Sequence, residues 1–172
     1  MDGDINTNMK EKAGKIRLLL TDVDGVLTDN GVFYGEGGEV LKRFSIRDGM
    51  GVERLRKLAG IETGIVTGEL SPSVARRAEK LKITELHLGI KDKLGRLNEI
   101  MERLGIGWEE IAYIGDDVND LEVIERAGLS ACPADAMPQV SGIVHYHCVE
   151  KGGYGAFREF AEWLITHKNN TI

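Results

Sequence analysis

The sequence has 172 residues, 42% of them hydrophobic and 29% charged, and a formal net charge of −6. That length suits one domain and can bury a core without disulfide or metal staples. The acidity speaks against a nucleic-acid partner, and no apolar run reaches the ~20 residues of a membrane span. The two cysteines, Cys132 and Cys148, match no zinc or redox spacing and read as reduced thiols of a cytoplasmic protein.

Residues 1–15 are polar and mixed in charge, lack the apolar stretch of a secretory signal, and read as a disordered, frayed leader. Residues 16–21 (IRLLLT) form a short continuous apolar run that ends in acids and glycine, as a buried parallel strand does. Val32-Phe33-Tyr34, then Gly35 to Gly38, then residues 40–46 read as a β-hairpin. A helix is predicted over 48–58 with Gly60 as its cap, followed by a second core strand over 61–67. Ser71-Pro72 opens a helix that runs to about Leu81, and a third strand spans 85–88. Helix 91–104 carries Leu94, Leu97, Ile100, Met101 and Leu104 on one stripe. A fourth strand (111–114), a helix (118–127), two short strands (129–132 and 143–146) and a last helix (156–167) complete the chain. This alternation predicts an α/β fold, a Rossmann-like parallel sheet sandwiched by helices, with ligands bound at the carboxyl ends of its strands.

The residues with chemistry fall at those strand ends. After the first strand, Asp22 and Asp24 leave together, and Gly25 lets the backbone turn sharply. Two carboxylates this close repel unless a cation or a shared proton relieves them. A hard divalent cation with oxygen ligands can neutralise one while the other keeps a proton. After the second strand, the hydroxyl of Thr67 and the free backbone of Gly68 and Glu69 face a helix start at Ser71, which makes an anion site. Lys93 stands where a helix begins, against the helix dipole, and a phosphate partner would remove that conflict. After the fourth strand, Asp116, Asp117 and Asp120 supply oxygen ligands for a metal.

That ordered set, from residue 16 onward, resembles the haloacid dehalogenase superfamily of phosphotransferases. The resemblance implies one phosphatase domain over 16–172, with Mg2+ as cofactor. It implies Asp22 as nucleophile and Asp24 as general acid/base. Thr67, Gly68 and Lys93 would bind the phosphoryl group, Asp22, Asp24 and Asp116 would hold the metal, and Asp117 and Asp120 would support it. Only the hairpin and one helix lie between Asp24 and Thr67, and one helix and one strand between Thr67 and Lys93, so there is no room for the cap domain that many members insert.

Arg47-Asp48-Gly49-Met50-Gly51, the Gly115–Asp120 run and the segment Gly152 to Glu159 are similar to the uncapped phosphatases of 3-deoxy-2-ulosonate sugars. These form tetramers in which neighbours cover each other's sites. By that resemblance the chain is a homotetramer built around the hairpin, and its substrate is a sugar-acid phosphate. Octulosonate members usually carry Gly-Arg after the strand-two hydroxyl, whereas this chain has Gly68-Glu69. With Arg77 and Lys80 on the next helix, Glu69 is more like the nine-carbon phosphatases, and by that resemblance Glu69, Arg77 and Lys80 would contact the sugar acid. The resemblance therefore favours 2-keto-3-deoxynononate 9-phosphate (KDN 9-phosphate). The alternatives are 3-deoxy-manno-octulosonate 8-phosphate (KDO 8-phosphate) and N-acylneuraminate 9-phosphate. A phosphoreceiver signalling domain is the rival of another class, but its phosphorylated Asp follows a later strand, where this chain has Thr67. His145 and His147 would share a strand face and have no third metal ligand nearby.

Overall fold

The structure, a computed structural model, describes residues 2–168. Six parallel strands form one sheet in the order β5-β4-β1-β6-β7-β8. They are β1 (Leu18–Thr21), β4 (Glu62–Val66), β5 (Glu85–His87), β6 (Ile111–Ile114), β7 (Leu129–Cys132) and β8 (Tyr146–His147). A separate antiparallel hairpin pairs β2 (Thr28–Gly35) with β3 (Gly38–Phe44). The helices are α1 (Asp2–Lys15), α2 (Ile46–Arg54), α3 (Pro72–Leu81), α4 (Lys93–Leu104), α5 (Leu121–Arg126), α6 (Pro138–Ser141) and α7 (Ala156–Lys168). A π-helical turn over Leu55–Ala59 continues α2 and ends at Gly60, so the helix predicted over 48–58 begins two residues earlier and ends where expected.

Burial on both faces is what makes the strands read as unbroken apolar runs. Leu19, Ile65, Ala112 and Ile114 pack on the face covered by α1, α2, α3 and α7. Their neighbours Leu18, Leu20, Val66, Ile111 and Tyr113 pack on the other, under α4, α5 and α6. Thr21 of β1 pairs with Ile65 of β4 and with Ile114 of β6, so three central strands end level. Whatever follows them emerges in one place.

The first fifteen residues differ from expectation. Residues 2–15 are helix α1, with Ala13 buried and Met9 packed on the core. Lys168 of α7 donates to the carbonyls of Gly14 and Ile16 at 3.2 and 2.6 Å, tying the two ends of the chain together. The segment is too polar to announce itself as a core helix, and its partner surface comes from the far end of the sequence. The short α6 was not predicted, and the strand predicted over 143–146 is shorter and lies later, at Tyr146–His147. His145 is a packing residue: its Nδ1 accepts from the Ser130 N–H at 3.1 Å, and its Nε2 lies 2.7 Å from Lys12 Nζ.

Two connections fix the surroundings of the strand ends. Asp48 Oδ1 accepts from the Arg158 N–H in the first turn of α7 at 3.0 Å, joining α2 to α7. The segment before α7 lies against the loop after β1: the Gly153 N–H donates to the Val26 carbonyl at 2.9 Å, and a Cβ on Gly152 would fall 1.8 Å from the Gly25 carbonyl oxygen. No helix among the described residues is long and apolar enough to cross a membrane.

Candidate active site

A cleft of about 150 Å³ opens at the carboxyl ends of β1, β4 and β6, lined by Asp22, Asp24, Thr67, Gly68, Glu69 and Asp116 together with Asn30, Asp117 and Asn119. Asp22 follows β1 directly and is buried. Its Oδ1 accepts from the Val23 N–H at 2.7 Å, and its Oδ2 lies 3.0 Å from Lys93 Nζ. Lys93 opens α4, only 4% exposed, and its ammonium also meets Asp120 Oδ1 at 2.7 Å. Burial works against the Lys93 charge, but Asp22 and Asp120 outweigh it and hold the ammonium above its ordinary range. The lysine that opposes the dipole of α4 is thus held by two carboxylates.

Asp120 is fully engaged. Tyr113 O–H donates to its Oδ1 at 2.5 Å, and its Oδ2 accepts from the Asp116 N–H at 3.1 Å. Asp117 caps the 3-10 turn over Val118–Asp120, with Oδ1 accepting from the Val118 N–H at 2.6 Å. Asp116 is different: among the described residues no donor reaches its carboxylate. It tucks under Gly25, whose φ is +82° and where a Cβ would fall 1.9 Å from Asp116 Oδ2, so only glycine leaves the carboxylate its place.

Asp22, Asp116 and Asp120 each offer an oxygen within 4.8 Å of the others. Burial pushes the Asp22 carboxyl up to about 7, with the Asp120 charge adding and Lys93 opposing. Burial, then the charges of Asp22, Asp120 and Asp117, push Asp116 up to about 8. Three buried acids sharing one lysine are short of positive charge. A hard divalent cation fits that deficit, and the carboxylate of Asp116, which accepts no hydrogen bond, fits its ligand set. Asp24, counted from sequence among the metal ligands, lines the same cleft but is not one of these three: both of its oxygens accept from Lys42 Nζ, at 2.7 and 2.8 Å.

Thr67 follows β4 directly and is buried. Its Oγ1 accepts from the Glu69 N–H at 3.4 Å, and the hydroxyl proton has no acceptor among the described residues, so it is available to a ligand. Arg77 and Lys80 do not line the cleft. Arg77 donates to the Ser45 carbonyl at 2.8 Å and lies over the Phe44 ring, and Lys80 lies in a separate surface hollow with Glu53, Arg56 and Lys57. Several residues at or under the cleft drew no role from sequence. Asn30 sits at φ 68°, a left-handed position that asparagine tolerates, where the pairing of β2 is irregular, and the turn-prone residue types of Asp29-Asn30-Gly31 were its only signal. Asn119 lies within the acid run, while Tyr113 and Lys42 read as ordinary strand residues.

A family model described as haloacid dehalogenase-like hydrolase matches residues 32–128. The chain is 40% identical over 163 residues to the 3-deoxy-D-manno-octulosonate 8-phosphate phosphatase of Salmonella typhi, covering 95% of this chain and 86% of the relative. The crystal structure of the Yersinia pestis 3-deoxy-D-manno-octulosonate 8-phosphate phosphatase superposes with a TM-score of 0.90 at 39% identity, covering 94% of this chain and 87% of that one. The Moraxella catarrhalis 3-deoxy-D-manno-octulosonate 8-phosphate phosphatase, in complex with magnesium ion, phosphate ion and KDO, superposes with a TM-score of 0.90 at 36% identity, covering 95% and 94%.

Proposed function

The chain belongs to the haloacid dehalogenase-like hydrolases, in their uncapped 3-deoxy-2-ulosonate phosphatase branch, and on that premise we propose that it is a magnesium-dependent phosphatase of KDO 8-phosphate. The observation that carries the proposal is the pairing of Asp22 with buried Lys93 beside the undonated carboxylate of Asp116. An ammonium at 3.0 Å from the attacking carboxylate is placed to meet the equatorial oxygens of a phosphoryl group.

In the first half-reaction an Asp22 oxygen forms a bond to phosphorus as the bond from phosphorus to the sugar oxygen breaks. Asp24 gives its proton to the departing oxygen. In the second, Asp24 takes a proton from water as the water oxygen attacks phosphorus, and Asp22 leaves with both bonding electrons. Lys93 and the Thr67 hydroxyl hold the phosphoryl oxygens, and Asp120 and Tyr113 hold Lys93. Magnesium, when bound by Asp22 and Asp116, supplies the positive charge these carboxylates lack.

The substrate assignment follows the relatives, whose names specify the eight-carbon ester. A second reading, for KDN 9-phosphate or N-acylneuraminate 9-phosphate, is favoured by Glu69, which lines the cleft where octulosonate members usually carry arginine. Steady-state kinetics with magnesium on the three esters separates the readings. KDO 8-phosphate is expected to show the highest kcat/KM. A ten-fold preference for a nine-carbon ester would transfer the assignment to the second reading, and no turnover of any of them would reject both.

The cleft holds a phosphoryl group and little more, so the sugar must meet other walls. Phe33, Tyr34, Val40 and Leu41 are exposed together on the hairpin, an apolar edge suited to a neighbouring subunit. We assign a homotetramer on this ground; Arg77 and Lys80 would then touch substrate only across a subunit boundary. Light scattering is expected to give four times the 18.9 kDa chain mass. A fully active monomer at micromolar concentration would end that assignment.

A further inference from the structure

The hairpin also sends a side chain into the site. Lys42, on β3, is buried, its side chain 1% exposed, and its ammonium donates to both carboxylate oxygens of Asp24. The same ammonium lies 3.5 Å from Glu39 Oε2 on the same strand. Glu39 Oε1 in turn accepts from the hydroxyl of Ser71, the residue that caps α3. A chain of polar contacts thus runs from Asp24 through Lys42 and Glu39 to the start of α3, bracketing the Thr67–Glu69 loop. A buried lysine is costly unless its charge has work or partners. Here the partner is an acid that faces the cleft, with its side chain 22% exposed.

We propose that Lys42 is a positioning residue for the proton donor: it fixes the carboxyl group of Asp24 toward the leaving oxygen and stabilises the carboxylate formed when the proton departs. This rests on the reading of Asp24 as the acid. As the bond between phosphorus and the sugar oxygen breaks, its electron pair goes to the oxygen and the proton of Asp24 moves to that oxygen. Negative charge then appears on Asp24, within hydrogen-bond distance of a cation already in place. Lys42 is paired with Asp24 and Glu39 and does not line the cleft, so its removal should spare phosphate binding.

The leaving group distinguishes this role from support of the fold. A sugar alkoxide needs its proton, whereas p-nitrophenolate leaves well without one. kcat/KM reports the steps up to that departure. Lys42→Met is expected to lower kcat/KM on KDO 8-phosphate by about 100-fold, the low end of general acid catalysis, and on p-nitrophenyl phosphate by less than about three-fold. Inhibition by inorganic phosphate should be unchanged. In an Asp24→Asn background, Lys42→Met should add no further loss. Equal losses on both substrates, or none on either, would overturn the proposal. If Lys42→Met does not fold, Lys42→Arg, which keeps the cation but moves it, should show the same substrate-dependent loss, and equal effects on the two esters would overturn the proposal there too. An Asp24→Asn enzyme that loses both activities equally would overturn the reading of Asp24, and with it the role of Lys42. A leaving-group-dependent loss in Asp24→Asn but not in Lys42→Met would overturn the role of Lys42 alone.

Discussion

Asp22→Asn is expected to lower kcat by on the order of 10⁵-fold, as the loss of a covalent nucleophile does, while the folded state survives. The stability half of this expectation comes from the charges around the residue. The carboxylate of Asp22 is buried beside Asp120, and its pKa is pushed up to about 7, so its charged form strains the metal-free site. An asparagine keeps an oxygen to accept from the Val23 N–H and leaves Lys93 its contact with Asp120. In metal-free buffer at pH 8 the variant should therefore melt no lower than the wild type, within about 3 °C, and it can melt higher, the usual relation between activity and stability at a strained site. Acid-quenched wild type caught in turnover should carry phosphate on the peptide containing residue 22. Near-normal kcat in the variant, or phosphate trapped on another peptide, would falsify the assignment of the nucleophile.

Removing divalent metal is expected to abolish turnover and to make stability depend on pH. In the metal-free fold, burial raises the carboxyls of Asp22 and Asp116 from 3.8 to about 7 and about 8. The native state then binds those protons more tightly than the unfolded chain does. The stabilisation is fully present below about pH 4 and is lost as pH rises through 7 and 8. Melting of the chelator-treated protein should accordingly fall between pH 5.5 and 8.5. Magnesium at a hundred times its Kd adds about 2.7 kcal/mol, worth about 5–10 °C in a chain of this length. That gain should be large at pH 8.5, where Asp22 is almost wholly and Asp116 mostly deprotonated, and small at pH 5.5, where protons compete. Calcium is expected to recover part of the melting temperature without turnover, because its larger and looser shell does not hold the octahedral geometry of magnesium. A melting temperature that is flat across this range without metal, or full activity in excess chelator, would remove the metal from Asp22 and Asp116.

Much of the site was legible because its residues follow buried strands. Ile111–Ile114 and Leu129–Cys132 read as strands from their apolar runs alone, and α3 was legible from the Ser71-Pro72 start. The level ends of β1, β4 and β6 bring Asp22, Thr67 and Asp116 into one cleft, a convergence that needs only the topology of a parallel sheet. What was not legible depends on partners distant in sequence. Helix α1 carries too few apolar residues to be read as buried until α7 lies beside it. Lys42 is one basic residue on an alternating hairpin, and nothing local says that it ends on Asp24. Arg77 is placed on the sugar by resemblance alone, and nothing local tells that its guanidinium reaches the carbonyl of Ser45, before a different helix. Spacing gives the face of a helix that a residue occupies and not what lies opposite.

The packing of Gly152 and Gly153 against the loop after β1 also has a meaning in the order of synthesis. The two acids of that loop leave the ribosome long before the backbone that braces them. β1 itself lies mid-sheet, and both of its neighbours are made later. Every acid of the site therefore exists in the nascent chain well before the loop that carries the nucleophile can be braced, and the catalytic arrangement is completed only as the C-terminal segment docks.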